Sequence, residues 1–220
     1  VKAALSGREE YKKEHPESTF DIKFILCMMR GSENQKENIE TIEVAKEFLG
    51  KGVVALDLAG AEGLFPTKNF SKEFQIAREY KIPFTIHAGE ADGAMSVRTA
   101  IEFGAKRIGH GIRAMEDEAV MQLIKEKGIV LELCPTSNLQ TKAVSSLKEY
   151  PLKRFLDYGI IVTINSDNLM VSDTNVEKEL KMVQKEQPHH DRYALSIKEQ
   201  LHLLIILLTM KVSGPMSIRN

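Results

Sequence analysis

The chain has 220 residues, 43% of them hydrophobic and 28% charged, with a formal net charge of -1. That balance gives no basic excess to draw it to nucleic acid or an anionic membrane surface, and no acidic excess of the kind that marks a disordered tail. Cys27 and Cys134 are the only cysteines and form no CxxC pair, so a disulfide framework is not expected and a reducing, cytoplasmic setting fits.

The N-terminal stretch VKAALSGREEYKKEHPE is charged and lacks the apolar core of a signal peptide. Strand-length apolar runs then follow at 22–29, 53–59, 83–88, 106–110, 129–134 and 160–166. Between them lie stretches of helical period. ENIETIEVAKEFLGKG, for example, puts Ile39, Ile42, Val44, Ala45, Phe48 and Leu49 near one face and stops at Gly50 and Gly52. Gly104, Gly128 and Gly159 each close a helix just before the next strand, as suits a residue that tolerates left-handed backbone. The run LHLLIILL at 201–208 is too short to span a membrane and reads as a buried helix, with His202 a structural residue on it.

This is a βα alternation of six units in one domain spanning 1–220. With right-handed crossovers it gives either a doubly wound sheet or part of a (β/α)₈ barrel. In both, ligands sit at the C-terminal ends of the strands. There the sequence places Gly60-Ala61-Glu62, His87 with Gly89 and Glu90, His110-Gly111, Cys134-Pro135-Thr136-Ser137-Asn138, and Ser166-Asp167-Asn168. Each alone has an ordinary explanation. A single His at a strand end is more often a hydrogen-bonded loop residue, and Ser-Asp-Asn is common N-cap chemistry. Independent caps, however, have no reason to supply His, Glu, His and Asp on successive strand ends.

The chemistry that needs such a set is metal-assisted hydrolysis, with imidazole and carboxylate as zinc ligands and a neighbouring acid to move a proton. His87 and Asp167 make only two ligands, and His110 is better placed as a base. His15 falls in a charged helix and His189 and His190 in a polar loop, so none completes the site. A metal-free α/β protein whose rim residues are only caps stays open at this point.

The pieces DLAGAE (57–62), TIHAGE (85–90), RIGHG (107–111), LCPTSN (133–138) and TINSDN (163–168) resemble the adenosine deaminases of the zinc amidohydrolase superfamily in order and spacing. The resemblance implies a (β/α)₈ barrel, with the six units matching strands three to eight. It implies Zn2+ bound by His87 and Asp167, with two further His ligands from a preceding segment carrying strands one and two. It makes Glu90 the proton donor to purine N1 and His110 the group that orients or deprotonates the attacking water. The Gly60 N–H would face N3, and Asn168 would contact N7 where the family usually has Asp. The implied reaction is hydrolytic deamination of adenosine and 2'-deoxyadenosine to inosine and 2'-deoxyinosine, zinc-activated water attacking C6 and ammonia leaving. The implied partner is a small-molecule purine nucleoside, with no nucleic acid and no membrane. The chain is expected to be the C-terminal two-thirds of such an enzyme and to show little activity alone. Deamination of another purine (adenine or AMP) and an inactive barrel acting as a binding protein are the alternatives.

Overall fold

The computed structural model describes residues 1–19, 21–186 and 204–209. Helix α1 (Lys2–Glu14) precedes β1 (Ile22–Met29), α2 (Gln35–Phe48), β2 (Val53–Ala59), α3 (Ser71–Glu79), β3 (Thr85–Ala88), α4 (Ala94–Phe103), β4 (Arg107–His110), α5 (Glu118–Lys127) and β5 (Val130–Leu133). Then come α6 (Pro135–Gln140), α7 (Leu152–Tyr158), β6 (Ile161–Ile164), α8 (Leu169–Ser172), α9 (Val176–Glu186) and β7 (Leu204–Thr209). All the strand pairs are parallel. They run β2-β1-β7 and β3-β4-β5-β6, and a bridge between Leu56 and Phe84 joins β2 to β3.

The six predicted strands are all present, and α4, α5 and α7 end at Gly104, Gly128 and Gly159 with φ of 103°, 60° and 89°. The 201–208 run is a correction. Leu204–Thr209 is not helix but a seventh strand, in register with Ile22–Cys27 of β1. A short apolar run carries no decisive period, and the otherwise unpaired edge of β1 offers its N–H and C=O groups to any extended segment. Residues 201–203, with His202, and the loop holding His189 and His190 lie outside the described residues. His15 falls just past α1, where its backbone N–H bonds the Tyr11 carbonyl.

Period-two alternation sorts each strand into two faces. One packs on the helices and is wholly apolar: Leu56 and Leu58, Ile86 and Ala88, Leu131 and Leu133, Val162 and Ile164. Phe74 of α3 is fully buried there against Phe84 and Phe103. The other face lines the inside of the arc and carries Asp57, Thr85, His87, Arg107, Gly109, Glu132 and Thr163. Below the rim, Glu132 takes hydrogen bonds from Thr85 (2.9 Å) and Arg107 (2.6 Å), which ties β3, β4 and β5 together across that inner face. Among the described residues, no helix is long and apolar enough to cross a membrane.

Candidate metal centre and catalytic rim

His87 stands at the end of β3 with its imidazole on the inner face. Its Nδ1 lies 2.8 Å from Oδ2 of Asp57, a fully buried carboxylate on β2. The contact is a close ion pair when the imidazole is charged. It leaves Nε2 turned away from Asp57. Room for the ring comes from β4: a Cβ on Gly109 would meet His87 Nδ1 at 2.9 Å and its Cα at 3.2 Å. Gly109→Ala is therefore expected to cost about 1–3 kcal/mol and to weaken the hold of His87 on any metal ion bound there, as denaturation and metal titration of the same variant would show.

Burial works against charge on His87, but the Asp57 carboxylate outweighs it and pushes the imidazole pKa up from 6.5 to about 9. Asp57 responds in kind: burial would raise its carboxyl, yet His87 holds it below the ordinary range. A raised histidine pKa means stability that is complete below pH 6.5 and is lost as pH rises through about 9. Metal-free protein should thus lose up to about 3 kcal/mol across that window, read as a falling denaturation midpoint. In Asp57→Asn the fall should vanish.

His110 ends β4. Alternation from Ile108 would point it at the helices, with the apolar core. Instead its backbone is left-handed (φ 60°), which redirects the side chain inward. Asp167, beyond β6, is also left-handed at φ 51°. Such non-glycine conformations each cost of order 1–3 kcal/mol and persist where the surroundings hold them. The outcome is that His87, His110 and Asp167 each offer a ligand atom, all within 4.8 Å of one another. The two rings meet edge-on with centroids 5.0 Å apart. Two imidazoles and a carboxylate are a donor set that fits zinc, and a carboxylate on the remote nitrogen, here Asp57, is the common outer partner of a metal-binding imidazole. His110 is buried, and burial together with His87 lowers its pKa.

Glu90 reaches the same cluster. Its Oε2 is 3.6 Å from His110 Nε2, and its Oε1 accepts from Thr141 Oγ1 (3.1 Å) and Asn138 Nδ2 (3.4 Å). The loop that carries it is held from beneath. The buried Glu62 carboxylate accepts backbone N–H bonds from Gly89 (2.7 Å), Glu90 (3.0 Å), Ala91 (2.8 Å) and Asp92 (3.0 Å), and the hydroxyl of Ser96 (2.6 Å). Burial would raise the Glu62 pKa, but Ser96 and the backbone N–H groups of Asp92, Gly89 and Ala91 prevail and lower it. Arg30 completes the support, donating to Phe65 O, to His87 O and to Thr67 Oγ1, which lies 2.7 Å from Ser96 Oγ.

Asn168 carries two features at once. Its Oδ1 caps α8 by accepting from Met170 and Val171 N–H (3.1 and 3.0 Å), as ordinary Ser-Asp-Asn turn chemistry predicts, which leaves its NH₂ as the spare donor. Gly60 follows β2 at the rim, exposed and with φ 110°. The sequence alone places Glu62 and Asn138 at the strand ends without a role, and gives Asp57, Arg30 and Tyr150 none. The available signal for Asp57 was a lone carboxylate inside the apolar run VVALDLA, since a charge there must be paired.

The family model described as Adenosine deaminase matches residues 2–200. The adenosine deaminase of Haemophilus ducreyi is 49% identical over 208 residues, which are 93% of this chain and 58% of that protein. Among solved structures, the adenine deaminase of Arthrobacter aurescens is similar with a TM-score of 0.62 at 25% identity, over 85% of this chain and 63% of that one. The N6-methyl-AMP deaminase of Arabidopsis thaliana shares the fold at a TM-score of 0.72 and 24% identity, over 81% of this chain and 56% of that one. The chain thus spans a little over half the length of the relatives it matches, and what it holds is an incomplete (β/α)₈ barrel. Its rim motifs, its barrel strands and the matched family model together make it a member of the adenosine deaminase family.

Proposed function

We propose that these residues form the catalytic rim of an enzyme that hydrolyses adenosine and 2'-deoxyadenosine to inosine and 2'-deoxyinosine with release of ammonia. The observation that carries the reading is the convergence of His87, Glu90, His110 and Asp167, from three strands, on one cavity. His87 and Asp167 are the zinc ligands in this reading, and two further histidines come from chain outside these residues. Zinc bound there would supply a water with its pKa lowered to about 7. His110 directs that water at purine C6 through a hydrogen bond. Glu90 gives a proton to N1, which draws electron density from C6 and makes it open to attack. Asn168 donates its free amide N–H to N7, and the Gly60 backbone N–H faces N3. The C–N bond then breaks as the amino group takes up the proton released by the water, so that ammonia leaves and the C6 carbonyl forms.

Relatives of 42–49% identity that are named adenosine deaminases favour the nucleoside as substrate. The adenine deaminase fold neighbour keeps the free base as the competing reading. The same reading places the enzyme in purine salvage in a reducing cytoplasm; Cys27 and Cys134 are free and buried. The test is the ultraviolet change on mixing adenosine, and separately adenine and AMP, with the protein translated from the full reading frame, beside a measurement of its zinc content. Adenosine turnover with about one zinc per chain is expected. Turnover of adenine alone, or neither metal nor turnover, would end the proposal.

A further inference from the structure

Behind His110 lies a buried polar chain that the deamination scheme does not use. Tyr150 OH is 2.9 Å from Asn138 Oδ1, and Asn138 Nδ2 is 2.9 Å from His110 Nδ1. Tyr150 and Asn138 are 3% and 0% exposed, so no solvent can substitute for a missing partner. We propose that Asn138 and Tyr150 are positioning residues that lock His110 as the neutral tautomer with its proton on Nε2, which makes the ring a hydrogen-bond donor to the cavity and removes it from the metal's ligand set. This rests on the deaminase reading of the cavity for its consequence, not for its geometry.

Two constraints orient the Asn138 amide. Tyr150 OH donates to Asn138 Oδ1 at 2.9 Å, so the amide presents its oxygen to the phenol. On the other side the amide faces Glu90 Oε1 at 3.4 Å as well as His110. Reversed, it would give Glu90 Oε1 an oxygen in place of the N–H that joins Thr141 Oγ1 in addressing it. With NH₂ toward the site, one amide hydrogen serves Glu90 and the other serves His110 Nδ1, and every group in the chain is satisfied. An Nδ1 that accepts is the unprotonated nitrogen of a neutral imidazole, so the ring's proton is on Nε2.

Nε2 points to the cavity, 3.6 Å from Glu90 Oε2. A nitrogen carrying its proton has no lone pair for a cation. His110 therefore stands near His87 and Asp167 without binding what they bind. It also has no basic nitrogen left to take a proton from water. When water adds to C6, its O–H proton goes to the Glu90 carboxylate left by protonation of N1, and His110 holds the oxygen by donation. Of the two roles that the family resemblance left open, orienting and deprotonating, the hydrogen-bond chain selects orienting.

The experiment is a long-range ¹H–¹⁵N correlation spectrum of the histidine rings in the ¹⁵N-labelled chain at neutral pH, with His110→Gln to assign the signals. The expected His110 pattern is one protonated nitrogen, Nε2, and one unprotonated nitrogen, Nδ1. In Tyr150→Phe the amide loses its orienting partner, and a mixture of tautomers should appear. In Asn138→Asp a carboxylate replaces the donor, and the proton should move to Nδ1. A wild-type ring protonated at Nδ1 or at both nitrogens would overturn the proposal, and so would variants that keep the wild-type pattern. If the variants fail to fold, the wild-type spectrum decides alone. An Nε2–H pattern in a full-length protein that does not deaminate adenosine would refute the enzyme reading and leave this one standing. Deamination with an Nδ1–H ring would do the reverse.

Discussion

Glu90→Gln is expected to lower adenosine deamination by about 10²–10⁴-fold, the usual worth of a positioned general acid. The substitution keeps the shape and the Oε1 position that Asn138 and Thr141 address. What it removes is the ability to hand a proton over, because an amide N–H can donate a hydrogen bond but does not dissociate. Zinc content and thermal midpoint should stay near the parent values, since Glu90 belongs to neither the proposed metal ligands nor the apolar core. Initial rates by the ultraviolet change, made on the full-length protein, read the effect. A variant within a few-fold of the parent rate would take the proton-donor role away from Glu90.

Glu62→Gln is expected to destabilise the protein by about 2–5 kcal/mol, although it changes one atom. The carboxylate has five donors: three on Oε2, from Glu90, Ala91 and Asp92, and two on Oε1, from Gly89 and Ser96. An amide has a single acceptor oxygen, so at least two buried donors are left facing an NH₂, at about 1–3 kcal/mol each. Because those N–H groups belong to the loop that carries Glu90, the catalytic rate should fall as well. Glu62→Asp separates the two effects: it retains the charge but shortens the reach, so it should recover part of the stability and little of the rate. Denaturant titration of both variants measures the first effect. No change in midpoint for Glu62→Gln would mean that the loop does not depend on this carboxylate.

The sequence was most legible where one residue type has one use. Apolar runs such as IVLELC and the helix-closing glycines 104, 128 and 159 became strands and left-handed caps, because burial and positive φ leave few other solutions. His87 and Glu90 were legible as site residues because a strand ends between them. The inward aim of His110 was not. Alternation groups it with Ile108, and only the left-handed backbone at the strand end brings it round. Asn138 and Tyr150 were missed for a different reason. Asn138 is part of a Pro-Thr-Ser-Asn stretch that reads as a plain turn, yet it opens α6, and Tyr150 reaches it from twelve positions further on across a loop. The LHLLIILL run misled because its apolarity is nearly uniform, and the choice between helix and strand then falls to the edge available for pairing.

The Arg30–Thr67–Ser96–Glu62 chain has one further property. A guanidinium can only give and a carboxylate can only receive, so the two hydroxyls between them have a single permitted direction. Reversing it would require an arginine without its charge. The line is consequently a tether and not a wire: a proton gained or lost at the mouth has no route along it into the floor. The acid at the rim can cycle through its charged and neutral forms while the support underneath keeps one electrical state.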